Sequence, residues 1–414
     1  MIAPTADGSV SVPLMNFRQG VRGGGFDHKW LAGLSLLVML LLLLAGAPRP
    51  AQASTNSNLN RALDRIMDVP NGPPGISMQI VRNGKSQYYR RGVANVRTGQ
   101  KPRLRDRFRI ASVAKAFSGA VALNLVAQGR LSLDSTIGQI LPGKLPKANH
   151  VTLGQALQHM GGLPEYIESK GFINEIGSKP WAFVSPNHIL SWVRHEGLTS
   201  RPGTRYKYSD TDNIVVGLMA QRVTGVRYIW QIRALGRRIG GLPATFLPRT
   251  VTMPGPYLRG YDIEPGKQPD NVSELINPAG AWASGGIVST LPNLNRFFRA
   301  YVSGRFFGSG GTRARITEAQ RQWVRGESQP AGPGTNWAGM GLFRYVTKCG
   351  TVFGHTGSFP GYRVFAASSA DGKRSIAFVA NAQILKTTKN NPNAKQVSAR
   401  IREAQVAAVC HALK

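Results

Sequence analysis

IASVAKAFSGAVALNLVAQG, residues Ile110 to Gly129, carries a single charge, Lys115, in text otherwise dominated by apolar and small residues. Such a run reads as a buried helix that begins near Ser112 and is stopped by Gly129. Residues three apart lie one above the other on a helix, so the Lys115 ammonium folds back toward the Ser112 hydroxyl one turn away. Burial disfavours the charged form of such a lysine, and the partial positive charge of the helix N-terminus pushes the same way. Lys115 is therefore expected to lose its proton near neutral pH and to take one from Ser112. The chain has 52 Lys and Arg to place, leaves this helix one of them, and shows Ser-x-x-Lys nowhere else.

Outward from that helix, the N-terminal text is that of an exported protein. Arg18, Arg22 and Lys29 precede an apolar run from Leu31 to Ala47, and Ala51-Gln52-Ala53 follows. This is the pattern of a secretory signal peptide over residues 1–53, cleaved after Ala53, with the mature chain secreted or periplasmic. No cysteine follows the run to carry a lipid, and no Arg-Arg pair precedes it. The segment holds four cations and two acids, so its removal would lower the net charge only from +32 to +30. A strongly basic exported protein is expected to meet anionic envelope polymers or lipid headgroups rather than nucleic acid. Its two cysteines, Cys349 and Cys410, read as one disulfide, which would stabilise by roughly 4 kcal/mol in the chain-entropy model. The histidines other than His355 show no metal-ligand spacing and read as surface or packing residues, so neither a metal nor a cofactor is expected. The chain is expected to act as a monomer.

Along the mature chain, Leu59, Leu63, Ile66 and Met67 recur at helical spacing up to Pro70. Ile76 to Val81 and Gln87 to Val93 read as strands around an Asn83-Gly84 hairpin turn. A helical middle follows: Thr152 caps LGQALQHM, Ser185-Pro186 opens another helix, Asp210 or Thr211 begins NIVVGLMAQRVTG, and Tyr228 to Ile239 adds one more. After Thr290, which caps LPNLNRFFRAYV, strands return at 341–346, 352–353, 362–368 and 374–380, with Asp371-Gly372 as a second hairpin turn. A helix over 395–413 closes the chain. Strands at both ends around helices predict an α+β fold with one antiparallel sheet built from both ends of residues 54–414. A sheet lobe would span about 54–110 and 270–414, and a largely helical lobe about 111–269.

Two further patterns come after Ser112: Tyr206-Lys207-Tyr208-Ser209-Asp210, and Gly354-His355-Thr356-Gly357-Ser358, expected just before the strand at Tyr362. With FRIASVAKAFSGA, VTLGQALQHMGGLPEY, PGTRYKYSDTDNIVVG, NPAGAWASGGIVSTLPNL and FGHTGSFPGY in that order, the chain resembles the penicillin-recognising serine hydrolases over nearly its whole mature length. These are serine β-lactamases of the class C type, low-molecular-weight D-Ala-D-Ala carboxypeptidases and related esterases. The resemblance implies the β-lactamase/transpeptidase-like fold, with Ser112 the acylated nucleophile, Lys115 its partner and Tyr208 a second proton carrier whose phenol the ammonium acidifies. It also implies an oxyanion hole from the backbone N–H groups of Ser112 and Ser358, a substrate carboxylate on Thr356, and close substrate approach at Gly357.

Two positions depart from the family pattern. Asp210 stands among the substrate-binding residues where an asparagine is usual, and a carboxylate cannot donate the amide hydrogen bond, so Asp210 caps the following helix or pairs with Lys115. His355 replaces the usual lysine, so carboxylate binding is expected to depend on a partly charged imidazole, helped by Arg344 or Arg363. The expected activity is a D-Ala-D-Ala carboxypeptidase-like hydrolysis of cell-wall peptides. An esterase or β-lactamase on the same site, or a non-catalytic binder of wall polymer, are the alternatives.

Overall fold

Asn83 and Gly84 both take positive φ, +47° and +82°, the twist a two-residue hairpin needs, and they join β1 (Gly75–Arg82) to β2 (Lys85–Gly92). In this computed structural model, which describes residues 50–383 and 391–414, the hairpin follows helix α1 (Pro50–Met67). The apolar run expected to direct export lies outside the described residues. Ser54–Lys414 forms one compact unit.

The helical part contains α2 (Ala114–Ala127), α3 (Leu153–Leu157), α4 (Asp210–Thr224) and α5 (Trp282–Gly285), followed by α6 (Leu291–Val302). Local sequence explains the ends. Thr152 and Gln155 form a reciprocal capping box on α3, Thr290 caps α6, and Gly225 closes α4 at φ +68°. A β-carbon on Gly217 of α4 would lie 2.7 Å from the Trp282 ring, so α5 packs directly on α4 and the helical part reaches past the boundary expected near 269.

Strands then resume as β3 (Val324–Arg325), β4 (Thr335–Gly339), β5 (Leu342–Thr347), β6 (Gly350–Phe359), β7 (Tyr362–Ser368) and β8 (Arg374–Ala380), and the chain ends in α7 (Ala394–Leu413). The eight strands form one antiparallel sheet in the order β2-β1-β8-β7-β6-β5-β4-β3. The two ends of the chain meet one strand in from its β2 edge, where Ile76 to Arg82 run against Ala380 to Arg374.

One face of the sheet is covered by α1 and α7. Leu59, Leu63 and Ile66 of α1 and Val397, Ile401 and Ala408 of α7 are buried against Met78, Ile80, Phe365 and Phe378. Burying each of the larger side chains contributes about 1.5–3 kcal/mol, so Leu63→Ala alone should cost about 2–5 kcal/mol. The other face packs on α6 and α2, where Phe117 stacks on Phe297 with ring centroids 3.7 Å apart. Cys349 and Cys410 are disulfide-bonded, tying α7 to the turn before β6.

Two expectations change. The helix expected to begin near Ser112 begins with a 3-10 turn, Ala111–Val113, before α2 proper. The His355 motif, expected ahead of the strand at Tyr362, is itself a strand: it forms the second half of β6, paired residue by residue with β7. Its glycines lie inside the strand. Here they serve close packing, since a β-carbon on Gly354 would sit 2.0 Å from the Ala366 carbonyl oxygen. The glycine-rich stretch at 308–311 leads into a helix at Gly310–Gln320.

Candidate active site

Ser112 is the only residue between Phe108 and Leu123 that is not buried. Ala111 before it holds φ +53°, a left-handed backbone uncommon for a residue with a side chain, and this turn lifts Ser112 out of the packed interior. Ser112 does not cap α2, since no side chain caps that turn. Lys115 is 0 % exposed. Its Nζ donates to Ser112 Oγ at 3.1 Å and to the Ser284 carbonyl at 2.9 Å, and forms an ion pair with Asp210. Three acceptors thus meet the three N–H groups of an ammonium. Of the two roles expected for Asp210, capping the following helix or pairing with Lys115, the structure has the pairing. Ser209, not Asp210, caps α4 by accepting from Thr211 N, which leaves the Asp210 side chain to Lys115.

The Tyr208 ring lies 4.9 Å from Lys115 Nζ. Its hydroxyl is buried and has no hydrogen-bond partner among the described residues. Burial first, then the Asp210 charge, hold the phenol well above its ordinary range; Ser112 is near enough to oppose this, though the two hydroxyls do not meet hydrogen-bond geometry. The expected acidification by the ammonium is therefore outweighed, and Tyr208 is a neutral phenol able to donate.

Beneath these groups lies a layer whose residues sit inside the quoted motif text but are given no role there. Glu165 accepts from the Asp210 backbone N–H at 2.7 Å, and its carboxyl is pushed up to about 8 by burial and by Asp210 beside it. His159 packs on Tyr208 at 4.4 Å between ring centroids and meets Asp212 at 2.8 Å. Burial pushes this imidazole well below and this carboxyl well above their ordinary ranges, so the pair is held neutral. His159 is thus more than a packing residue. Glu165 offers the same signal as Lys115, one charge in the apolar and glycine text MGGLPEYI.

The opposite wall is β6. His355 is 1 % exposed, its Nδ1 meets the Thr356 carbonyl, and burial, aided by the Lys115 charge, pushes its imidazole down to about 3. A partly charged His355 holding a carboxylate is therefore not what the fold builds; desolvation keeps the ring neutral. Thr356 is also buried, and its hydroxyl donates to the Pro330 carbonyl rather than facing a substrate. Arg363 is buried and donates to Ser398 of α7, across the sheet, and Arg344 lies over the Trp323 and Trp337 rings at 5.4 and 5.0 Å. Both arginines are directed elsewhere. Gly357 is where the walls touch: a β-carbon there would lie 2.6 Å from the Ile110 carbonyl and 3.0 Å from Ser112 N. Ser358, partly exposed, follows at the mouth. Among the described residues no group of three or more His, Cys, Asp or Glu could hold a metal ion.

Residues 59–399 match the family model described as Beta-lactamase. The chain belongs to the β-lactamase family. A β-lactamase of Pseudomonas fluorescens is 28 % identical over 190 residues, 45 % of this chain and 50 % of that protein, so the chain spans about half the length of this curated relative. Among solved structures, a D-stereospecific amidohydrolase from Streptomyces sp. superposes with a TM-score of 0.69 at 25 % identity, covering 84 % of this chain and 98 % of the other. A D-amino acid amidase from Ochrobactrum anthropi SV3 gives 0.71 at 23 % identity over 86 % and 98 %, a likeness of fold. The β-lactamase/transpeptidase-like fold expected from the motifs is the fold observed.

Proposed function

We propose that the protein is an exported serine hydrolase that forms an acyl-enzyme on Ser112 and acts on an amide or ester whose acyl part is a D-amino acid residue. The carrying observation is Lys115 Nζ 3.1 Å from Ser112 Oγ, with the Asp210 carboxylate on its other side. As Ser112 Oγ attacks the carbonyl carbon, its proton passes to Nζ while one of the Nζ protons comes to rest on Asp210. The oxyanion is held by the N–H groups of Ser112 and Ser358. The unpartnered Tyr208 hydroxyl donates its proton to the departing amine or alcohol, and the proton held by Lys115 and Asp210 restores the phenol. Water then attacks the ester carbon and returns Ser112.

A neutral His355 and an engaged Thr356 favour an uncharged amide or ester over a substrate ending in a carboxylate. Likeness to the D-stereospecific amidohydrolase supports the D configuration. Carboxypeptidase action on peptides ending in D-Ala-D-Ala is the second reading, favoured by the His-Thr-Gly strand lying against Ser112. It requires the Thr356 hydroxyl to leave Pro330.

Incubation of the full chain with D-alanine amide, D-alanine methyl ester, an acyl-D-Ala-D-Ala peptide and a fluorescent penicillin, each followed by intact mass, tests both readings. Turnover of amide and ester above peptide is expected, with every adduct lost in Ser112→Ala. Hydrolysis undiminished in that variant would remove Ser112 from the mechanism, and a peptide preferred tenfold or more would favour the second reading.

A further inference from the structure

A cavity of about 860 Å3 lies away from Ser112, between α1 and α7, on the face those helices cover. Arg61, Arg65, Lys348, Arg402 and Lys414 line it, against one acid, Glu403. That acid is already committed, to Arg400 at 2.8 Å and to Arg65 at 3.8 Å. Arg61 donates only to neutral groups of its own helix, Ser57 and Asn58, and Lys348 and Arg402 form no ion pair among the described residues. Arg61, Lys348 and Arg402, brought together with no ion pair of their own among the described residues, repel one another, and a concave, low-dielectric wall focuses their field. The excess of 32 positive charges in the sequence thus has, here, a shaped outlet.

We propose that this groove binds a phosphate-bearing linear polyanion. Arg61 and Arg65 stand one helical turn apart, ~6 Å along α1, so the positive charge is a row rather than a point and suits repeated phosphates better than a single anion. None of the large apolar side chains that the surface exposes lines the groove, so nothing there would insert into a bilayer, and a polymer strand is the better fit than a membrane surface. The hydrolytic groups take no part: Ser112, Lys115 and Tyr208 lie outside the lining.

The test is fluorescence anisotropy of labelled long-chain inorganic polyphosphate with the full chain, titrated at several salt concentrations. A variant carrying Arg61→Gln, Arg65→Gln and Arg402→Gln is compared with one carrying Arg222→Gln, Arg233→Gln and Arg237→Gln, exposed arginines remote in sequence that remove the same charge. The groove variant should bind at least tenfold more weakly, with the slope of log K against log salt shallower by about 2, and the control variant should change less than about threefold. Hydrolysis of the D-alanine ester should be unchanged in both, which reports an intact fold. Equal losses in the two variants would mean general charge attraction and overturn the proposal. So would inorganic phosphate competing as well as the polymer per phosphate, or phosphatidylglycerol vesicles binding where polyphosphate does not.

Discussion

The two walls of the Ser112 site give it different things. The helical wall, from α2, α4 and the residues before α4, offers side chains: Lys115 and Asp210 in contact, Tyr208 above them, Glu165 behind. The strand wall offers backbone, because its polar side chains are occupied internally, His355 with the Thr356 carbonyl and Thr356 with Pro330. A motif residue is therefore not a substrate contact merely because it lies in the motif. Burial decides whether a side chain has an atom left to give.

That contrast can be broken at four places, in decreasing order of effect. Lys115→Ala, in the chemical wall, should lower kcat on the D-alanine ester by about 10³-fold or more; a loss under tenfold in steady-state assays would show that the proton leaves Ser112 by another route. Gly357→Ala strikes the backbone wall, pressing a methyl against Ile110 O and Ser112 N, and kcat should fall by about 10²-fold while far-UV circular dichroism stays unchanged.

Glu165→Gln addresses the buried layer. The Glu165 carboxyl keeps its proton to about pH 8 in the folded protein but releases it near 4.5 when unfolded, so between those values the folded state binds the extra proton and this group's contribution falls as pH rises. The gain in Tm of the Gln variant over the wild type should grow from about pH 4.5 to about pH 8 and then level, reaching about 2–4 °C in scanning calorimetry. A gain independent of pH would mean that Glu165 is ionised. The smallest effect is expected at His355. A ring neutral above about pH 3 cannot make substrate affinity pH-dependent, so KM for an anionic substrate in His355→Gln should follow the wild-type profile within about twofold from pH 5 to 8. A profile flattened only in the variant would return His355 to the binding residues.

Much of this is legible in the amino-acid sequence by itself. The α2 helix shows itself by one charge in an apolar run, and the N-terminal hairpin by Asn83-Gly84, because both signals are local. The extent of β6 is hidden, since Gly354 and Gly357 are demanded by atoms of Ala366 and Ile110, far off along the chain or across the sheet. Lys115 and Asp210 are 95 residues apart, and Glu165 and Asp210 are 45 apart. No local spacing chooses between the two roles open to Asp210, capping its own helix or meeting Lys115. His355 misleads for the same reason: its identity is plain in the text, its solvation is not.

Ala111, at φ +53°, stands immediately before the nucleophile, and a left-handed backbone with a side chain costs roughly 1–2 kcal/mol, held in place by packing against β6 and α5. When warming loosens that packing, this residue can relax by turning over, while the sheet beneath still has its ladder intact. Ser112 would swing away from Lys115 first. On the temperature axis, catalysis and structure should then part company, with hydrolysis fading reversibly several degrees before the protein melts.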